Sequence, residues 1–312
     1  MNRPKVHIVI LNYKQWQDAR DCLDSVLVSS YTDFSVLVID NNSENNSLEH
    51  LSEWLKKKDA SVDQSILSRQ SINSQFMVTE LPKVTFLQND RNEGFAAGNN
   101  LALHFLQNED AYIWLLNPDM VAKHDTLEQL VDFAEQQSPD SIIGAKVHFS
   151  AGNPGLFFYG GGMINFGSAT VSLAKGPADV SRLDYISGGC LFTHAANFKK
   201  LGLLPEQYFL YWEETDWCYR AKQQHYQLLV CPEAICYDKI STVIGKGFVS
   251  DYYYARNGLL FTRKYRRGNI PVVITLMIVR FLKRVVTGQW ARARGVYKGA
   301  IDFFKMKKDE AE

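Results

Sequence analysis

The first 120 residues swing between two hydrophobic periods, and that alternation limits the folds open to the chain. KVHIVILN (Lys5–Asn12), FSVLVID (Phe34–Asp40), KVTFLQN (Lys83–Asn89) and AYIWLLN (Ala111–Asn117) are short runs rich in β-branched, aromatic and leucine residues, the signature of buried strands. Helical patterns lie between them at Ala19–Ser29, Leu48–Lys58 and Ala96–Gln107. In the first of these, Leu23, Val26 and Leu27 share one face. Strands alternating with helices predict an α/β fold, a mostly parallel sheet with helices on both faces. A polar stretch, Asp59–Gln75, interrupts the alternation and reads as a surface insertion. Past Asp119 the pattern changes. A helix is expected at Thr126–Gln136, then loops and short antiparallel strands in the Gly-rich Gly152–Gly167. A helix over Glu214–Gln224 and a strand at Leu228–Ala234 follow, and the chain is mostly helical from residue 257.

In open parallel sheets, ligands bind beyond the carboxyl ends of the strands. Here those ends are Asn12-Tyr13, Asp40-Asn41-Asn42-Ser43, Asn89 followed by Asn92-Glu93-Gly94-Phe95, and Asn117-Pro118-Asp119. Any one of them is ordinary turn chemistry; four at one sheet edge are what a polar ligand requires. No G-x-G-x-x-G follows the first strand, where Asn12-Tyr13-Lys14 stands instead, which argues against a dinucleotide-type pyrophosphate site. A diphosphate would need neutralising by other means. A carboxylate-held divalent cation does this, because Mg²⁺ takes oxygen ligands and substrate phosphates, and Asp119 is the best-placed carboxylate. A third concentration of polar groups is YWEETDWCYRAK (Tyr211–Lys222), with Glu213, Glu214 and Asp216 beside Trp212 and Trp217. Acids in a first helical turn oppose the helix dipole. Glu213 and Asp216 share a face, and Arg220, one turn beyond Asp216, is placed to pair with it.

Charge is unevenly spread. Residues 256–312 carry 14 Lys/Arg and 4 Asp/Glu, against 20 and 30 in residues 1–255. A basic tail on an acidic body points to an anionic partner. Within the tail, Ile270–Val286 holds an uncharged run that ends at Arg280, shorter than the roughly 20 residues that span a bilayer. Two readings stay open: a helix lying in a membrane interface, or one packed on the body with a solvated basic face. Nucleic acid is not expected, since no basic-aromatic stacking platform is present. The five cysteines (Cys22, Cys190, Cys218, Cys231, Cys236) show no metal-ligand or disulfide spacing and fit a reducing compartment.

Taken in order, VILNYK, VLVIDNNS, NEGFAAGNN, LLNPDM and FLYWEETDWCYRAK resemble glycosyltransferase family 2, nearest its bacterial rhamnosyltransferase-like branch, over roughly residues 5–265. The resemblance implies a GT-A fold, a Rossmann-like nucleotide-sugar-binding half over 1–120 and an acceptor-binding, catalytic half over 121–256, with 257–312 as a helical basic tail. It implies an inverting transfer of a sugar, first guess rhamnose from dTDP-rhamnose, to a hydroxyl of a lipid-linked bacterial surface polysaccharide, with Mg²⁺ or Mn²⁺. By the same resemblance Asn12, Tyr13, Asp40, Asn42 and Ser43 line the base and ribose. Asn92, Gly94, Phe95 and Asn99 cover the nucleotide, and Gly189 lies in the loop beneath the donor sugar. Asn117-Pro118-Asp119 stands where many members have Asp-x-Asp, leaving Asp119 as metal ligand. Glu213-Glu214 matches the acidic pair whose second member is the general base, a carboxylate whose pKa aromatic walls would raise. Asp216 then binds acceptor or orients a neighbour. Trp212 and Trp217 are candidates to stack on sugar rings, with core packing the expectation for Trp217. Arg256 is a phosphate contact or a packed stem. Asp238 occupies a position where related sequences often carry a metal-approaching His, so it is a second candidate ligand. The expected location is the cytoplasmic face of the inner membrane, held peripherally by the tail. Two other readings are a sugar nucleotidyltransferase, against which the missing Gly-rich phosphate loop counts, and a degenerate nucleotide-sugar-binding scaffold.

Overall fold

The computed structural model describes residues 3–72, 81–150, 155–239 and 247–306. Four runs form the expected parallel strands: β1 (Lys5–Asn12), β2 (Phe34–Asp40), β4 (Val84–Gln88) and β5 (Ala111–Leu116). The helices between them are α1 (Trp16–Leu27), α2 (Ser47–Lys58) and α3 (Gly94–Leu106). The insertion is not plain surface loop. Its Gln64–Ser68 is an edge strand, β3, pairing parallel to β4 in register from Gln64 opposite Val84; residues 73–75 lie outside the described residues.

The second half adds β6 (Met120–Ala122), α4 (Thr126–Ala134), β7 (Ser141–Phe149), β8 (Leu156–Tyr159), β12 (Cys190–His194), α5 (Ala195–Leu201), α6 (Glu213–Gln223) and β13 (Gln227–Asp238). The main sheet runs β3-β4-β2-β1-β5-β12-β7-β13-β6, with β8 paired to β7. β12 is antiparallel to β5, so the sheet passes without a break across residue 120. Three short antiparallel strands, β9 (Gly161–Asn165), β10 (Thr170–Leu173) and β11 (Tyr185–Ile186), form a separate small sheet. Side chains alternate across the main sheet. Ile8, Ile10, Val36, Val38, Phe86 and Trp114 pack under α1, α2 and α4 on one face, while Val9, Leu37, Ile39, Leu87 and Leu115 meet α3, α5 and α6 on the other. The parallel register sets Asn12 opposite Asp40 and Asp40 opposite Gln88, which lines up three polar strand ends.

Three helices follow: α7 (Phe248–Tyr265), α8 (Ile270–Val286) and α9 (Trp290–Lys305). α7 runs through the 256/257 boundary drawn from sequence. α9 lies against it at the closest approach glycine permits: a Cβ at Gly299 would stand 2.4 Å from the Tyr252 carbonyl oxygen, and one at Gly295 2.5 Å from that of Phe248. α8 buries only Val273 and Met277 and exposes Val272, Leu276, Ile278, Val279, Leu282 and Val286. α9 packs on the body, while α8, the helix both tail readings concern, shows solvent an apolar flank. No helix among the described residues is long and apolar enough to cross a membrane.

The glycine contact is testable. Because the obstacle at Gly299 is backbone, Gly299→Ala must push α9 off α7, an overpacking cost of about 1–3 kcal/mol. Urea denaturation should show a lower midpoint; an unchanged midpoint would mean the two helices are not in close contact.

Candidate active site

The end of β2 is a knot of hydrogen bonds. Buried Asp40 accepts from Asn12 Nδ2 (2.7 Å), the Ser43 N–H (2.8 Å), Ser43 Oγ (2.5 Å) and Gln88 Nε2 (3.1 Å). Ser43 Oγ also accepts from the Lys14 N–H at 2.7 Å. Asp40, Asn12 and Ser43 thus serve each other, and the buried carboxylate has its hydrogen-bonding capacity met within the protein. Tyr13 and Asn42 stay half-buried at the rim.

Asn41, which the sequence reading passed over, ties this knot to α3. Its Nδ2 donates to Asn92 Oδ1 and to the Gly94 carbonyl, both at 3.0 Å, and its Oδ1 accepts from Asn89 Nδ2 at 2.9 Å. Gly94 has φ of +84°, and a Cβ there would lie 2.2 Å from the Phe209 carbonyl oxygen. That same oxygen accepts the Phe95 N–H at 2.7 Å. So the glycine of the NEGF motif is needed where the start of α3 meets the loop that leads into α6. Asn99 is buried and bonds back to the Phe95 carbonyl at 2.9 Å, holding its own helix rather than facing the cleft.

The loop itself is strained. Phe209, Tyr211 and Trp212 have φ of 63°, 64° and 80°, a left-handed conformation that costs an L-residue about 1–2 kcal/mol. Asn257 holds it: its Nδ2 lies 2.6, 2.7 and 3.0 Å from the carbonyls of Tyr208, Leu210 and Tyr211. Arg256 adds bonds of 2.9 Å to the Gln207 and Tyr208 carbonyls and one of 2.8 Å to Asn257 Oδ1. Arg256 is thus a loop clamp, packed beside Tyr252 and Tyr253, and the phosphate contact offered for it has no support in these bonds.

At the head of α6 the three acids separate. Asp216 is fully buried and bonded to Tyr208 Oη (2.6 Å), Tyr265 Oη (2.6 Å) and Lys264 Nζ (2.9 Å to each oxygen). It anchors α6 to α7 and does not face a ligand. Its cation is Lys264, not Arg220, whose Nη2 reaches the Leu203 carbonyl at 3.3 Å. Both tryptophans are core: Trp217 stacks on Phe198 at 4.7 Å, and Trp212 packs on Phe261 at 4.9 Å with 2% of its surface exposed. Neither can stack on a sugar.

Glu213 is buried, and Glu214 turns toward Gly188. Glu214 accepts from its own N–H and those of Thr215 and Gly188. Burial still pushes its carboxyl above the usual range, because desolvation penalises the charged form. Glu213 is pushed up well further, first by burial and then by the Glu214 charge. One oxygen of each, Oε2, has no hydrogen-bond partner among the described residues. The SGGC loop sits against this pair. A Cβ at Gly188 would come within 3.2 Å of the Phe95 ring and 3.3 Å of Glu214 Cβ, and one at Gly189 within 3.1 Å of Asn117 Nδ2. Phe95, Asn117, Gly188, Gly189 and Glu214 therefore form one cluster drawn from four separate stretches of chain.

Asp119 and Asp238 end neighbouring strands. Asp238 is paired with Met120, and the Lys239 N–H donates to the Asp119 carbonyl at 3.0 Å. The Lys239 ammonium is drawn off to Asp18 and Asp21 of α1. No cluster of three or more His, Cys, Asp or Glu suited to a metal occurs among the described residues. Two carboxylates on adjacent strand ends fit a hard divalent ion that completes its shell with water and substrate phosphate.

A mostly parallel sheet with a polar carboxyl edge, closed by an acidic helix start, defines a GT-A-like α/β fold. Residues 7–160 match the family model "Glycosyl transferase family 2". It is 22% identical over 234 residues to the low-salt glycan biosynthesis hexosyltransferase Agl10 of Haloferax volcanii, covering 72% of this chain. The match spans 64% of the length of that curated relative. Among solved structures, the mannosyltransferase PcManGT from Pyrobaculum calidifontis, in complex with GDP-Man and Mn²⁺, superposes with a TM-score of 0.60 at 12% identity, over 97% of this chain and 88% of that one. GalNAc-T7 with UDP, GalNAc and Mn²⁺ gives 0.58 at 16% identity, over 83% and 51%. At these identities the likeness is one of fold.

The acidic pair has a pH signature. Glu213 holds its proton more tightly folded than unfolded, so the folded state binds more protons and stability falls as pH rises from about 4.5 through the raised value. Glu213→Gln removes this dependence. The variant should melt higher than the parent at pH 8 and lose that advantage near pH 4; equal melting temperatures across the range would show that Glu213 is not held protonated by burial.

Proposed function

We propose that the chain is an inverting, metal-dependent glycosyltransferase that moves a sugar from a nucleotide diphosphate to a hydroxyl of a saccharide acceptor. The observation that carries this reading is Glu214: a carboxylate with a raised pKa and an open oxygen, set beside Gly188 and Asn117 at the carboxyl edge of the sheet. The base and ribose rest on the rim above the Asp40 knot, where Tyr13 and Asn42 are the groups left to touch them. Phe95 and Asn117 bound the space for the donor sugar. Glu214 takes the proton of the acceptor hydroxyl as its oxygen attacks the anomeric carbon; the bond to the nucleotide diphosphate breaks on the opposite side and configuration inverts. Asp119 and Asp238 would hold Mg²⁺ or Mn²⁺, which supplies positive charge for the departing diphosphate. Mn²⁺ beside nucleotide ligands in PcManGT and GalNAc-T7 supports the choice of cofactor. The first donor to try is dTDP-rhamnose, then UDP-sugars, with a lipid-linked precursor of a bacterial surface polysaccharide as acceptor. The α8 flank, with Lys283 among its exposed apolar residues, would rest in the cytoplasmic interface of the inner membrane.

Transfer assays test the chemistry. Glu214→Gln should cut the transfer rate by about 10²–10⁴-fold while nucleotide still raises the melting temperature, and Asp119→Ala should remove the response to added Mg²⁺ or Mn²⁺. The acid limb of the parent's pH–rate profile should lie above the ordinary glutamate value of 4.5. Near-parental rates in both variants would defeat the assignment. For the membrane, Leu276→Glu combined with Val279→Glu should lower co-sedimentation with phosphatidylglycerol vesicles by at least about tenfold; undiminished binding would rule out α8 as the contact.

A further inference from the structure

A cleft of about 370 Å³ opens between α7, α8 and α9, away from the metal-site carboxylates, lined by Tyr211, Ser250, Asp251, Tyr254 and three arginines, Arg280, Arg284 and Arg292. We propose that it is the binding site for the phosphate or diphosphate of a lipid-linked acceptor. This rests on the glycosyltransferase reading for its purpose, though not for its chemistry.

The charge balance carries the argument. Three guanidinium groups face one carboxylate. Asp251, 8% exposed, takes Arg292 Nε at 2.5 Å and Arg284 Nη2 at 3.3 Å. That leaves two positive charges uncompensated inside the cleft. Arg284 Nε is buried with no partner among the described residues, an unmade bond that is costly unless a ligand supplies the acceptor. Arg280 makes no ion pair among the described residues; its guanidinium stands 5.5 Å from the centre of the Tyr254 ring. A planar, always-charged fork held against an aromatic face is suited to phosphate oxygens. The volume falls in the range of small-ligand clefts, about 300–1,000 Å³.

Position selects the source of the phosphate. Tyr211, on the cleft wall, belongs to the strained loop and precedes Glu213 by two residues and Glu214 by three. On α8 Arg280 lies one turn from Leu276 and Arg284 one turn further, at the border of its exposed apolar flank. A prenyl chain lying along that flank would bring its phosphate to the arginines and its sugar toward Glu214. A phosphatidylglycerol headgroup shares the phosphate chemistry but carries no sugar to bring toward Glu214.

Isothermal titration of the whole chain with farnesyl diphosphate, farnesol and inorganic pyrophosphate tests this. Farnesyl diphosphate should bind more tightly than farnesol. Arg280→Gln should weaken it by about tenfold or more, the loss expected for one charge-assisted contact, and Arg280→Lys should restore part of it. A dTDP or UDP titration of each variant reports whether the nucleotide site is still folded. The proposal falls if Arg280→Gln leaves farnesyl diphosphate binding unchanged with that control intact. It also falls if farnesol binds as well, or if phosphatidylglycerol vesicles displace farnesyl diphosphate through Arg280. Arg280-dependent binding of farnesyl diphosphate in a protein that shows no sugar transfer would sustain the site and count against the glycosyltransferase reading alone.

Discussion

The site depends on keeping Phe209–Trp212 in a conformation the chain would not choose. Three non-glycine residues in left-handed backbone would relax if released. They are held from two sides. The Asn257 amide and Arg256 guanidinium take the loop carbonyls from α7, and the start of α3 takes the Phe209 carbonyl through the Phe95 N–H. Gly94 makes the second grip possible by having no side chain where the loop passes. The loop therefore fixes the donor-side helix and the acidic helix α6 relative to each other. It also makes α7 part of the body that carries the candidate site, since the clamp residues sit on α7.

This division of labour separates residues that share a motif. Of the three acids in EETD, one is a structural ion pair with two tyrosines, one is buried deeply enough to favour its neutral form, and one keeps an open oxygen near the cleft. The order follows from helix geometry. Glu213 and Asp216 share a face turned to the body, while Glu214, rotated by about 100°, turns to Gly188. A neutral Glu213 would still help Glu214, because it spares the cleft a second negative charge.

The parallel half of the fold was legible because burial on both faces imposes a continuous apolar run, and the four polar strand ends stood out against it. β6, β7 and β12 were not: three-residue β6 is too short to show a period, and β7 and β12 sit among glycine and serine that blur one. The acidic pair stood out by its charge, while the Ser187–Cys190 loop was marked, at Gly189, only by the family resemblance. The amide clamps could not, because Asn257 to Leu210, Asn41 to Gly94 and Asn100 to Leu204 are bonds to backbone carbonyls up to 104 residues away. Nothing in sequence marks which carbonyl an asparagine will meet. The tryptophans misled for the opposite reason: an indole beside acids looks exposed in sequence, yet Trp217 satisfies its N–H on the Gly202 carbonyl and disappears into the core.

The basic tail shows the same limit in its charges. Counted in sequence, it looks like a cation set against an anionic surface. In the fold part of that charge is engaged by the protein itself: Lys264 serves Asp216, Arg284 and Arg292 serve Asp251, exposed Lys298 pairs with Asp302, and Arg256 holds the loop. Among the described residues Arg266, Arg267, Lys283, Arg294 and Lys305 stay exposed, and each adds about 1 kcal/mol near an anionic leaflet. Burying apolar surface returns about 25 cal/mol per Å², so the six exposed aliphatic side chains of α8 outweigh them. Attachment at this face would then respond weakly to salt and strongly to loss of apolar area, which a net-charge count would have predicted the other way round.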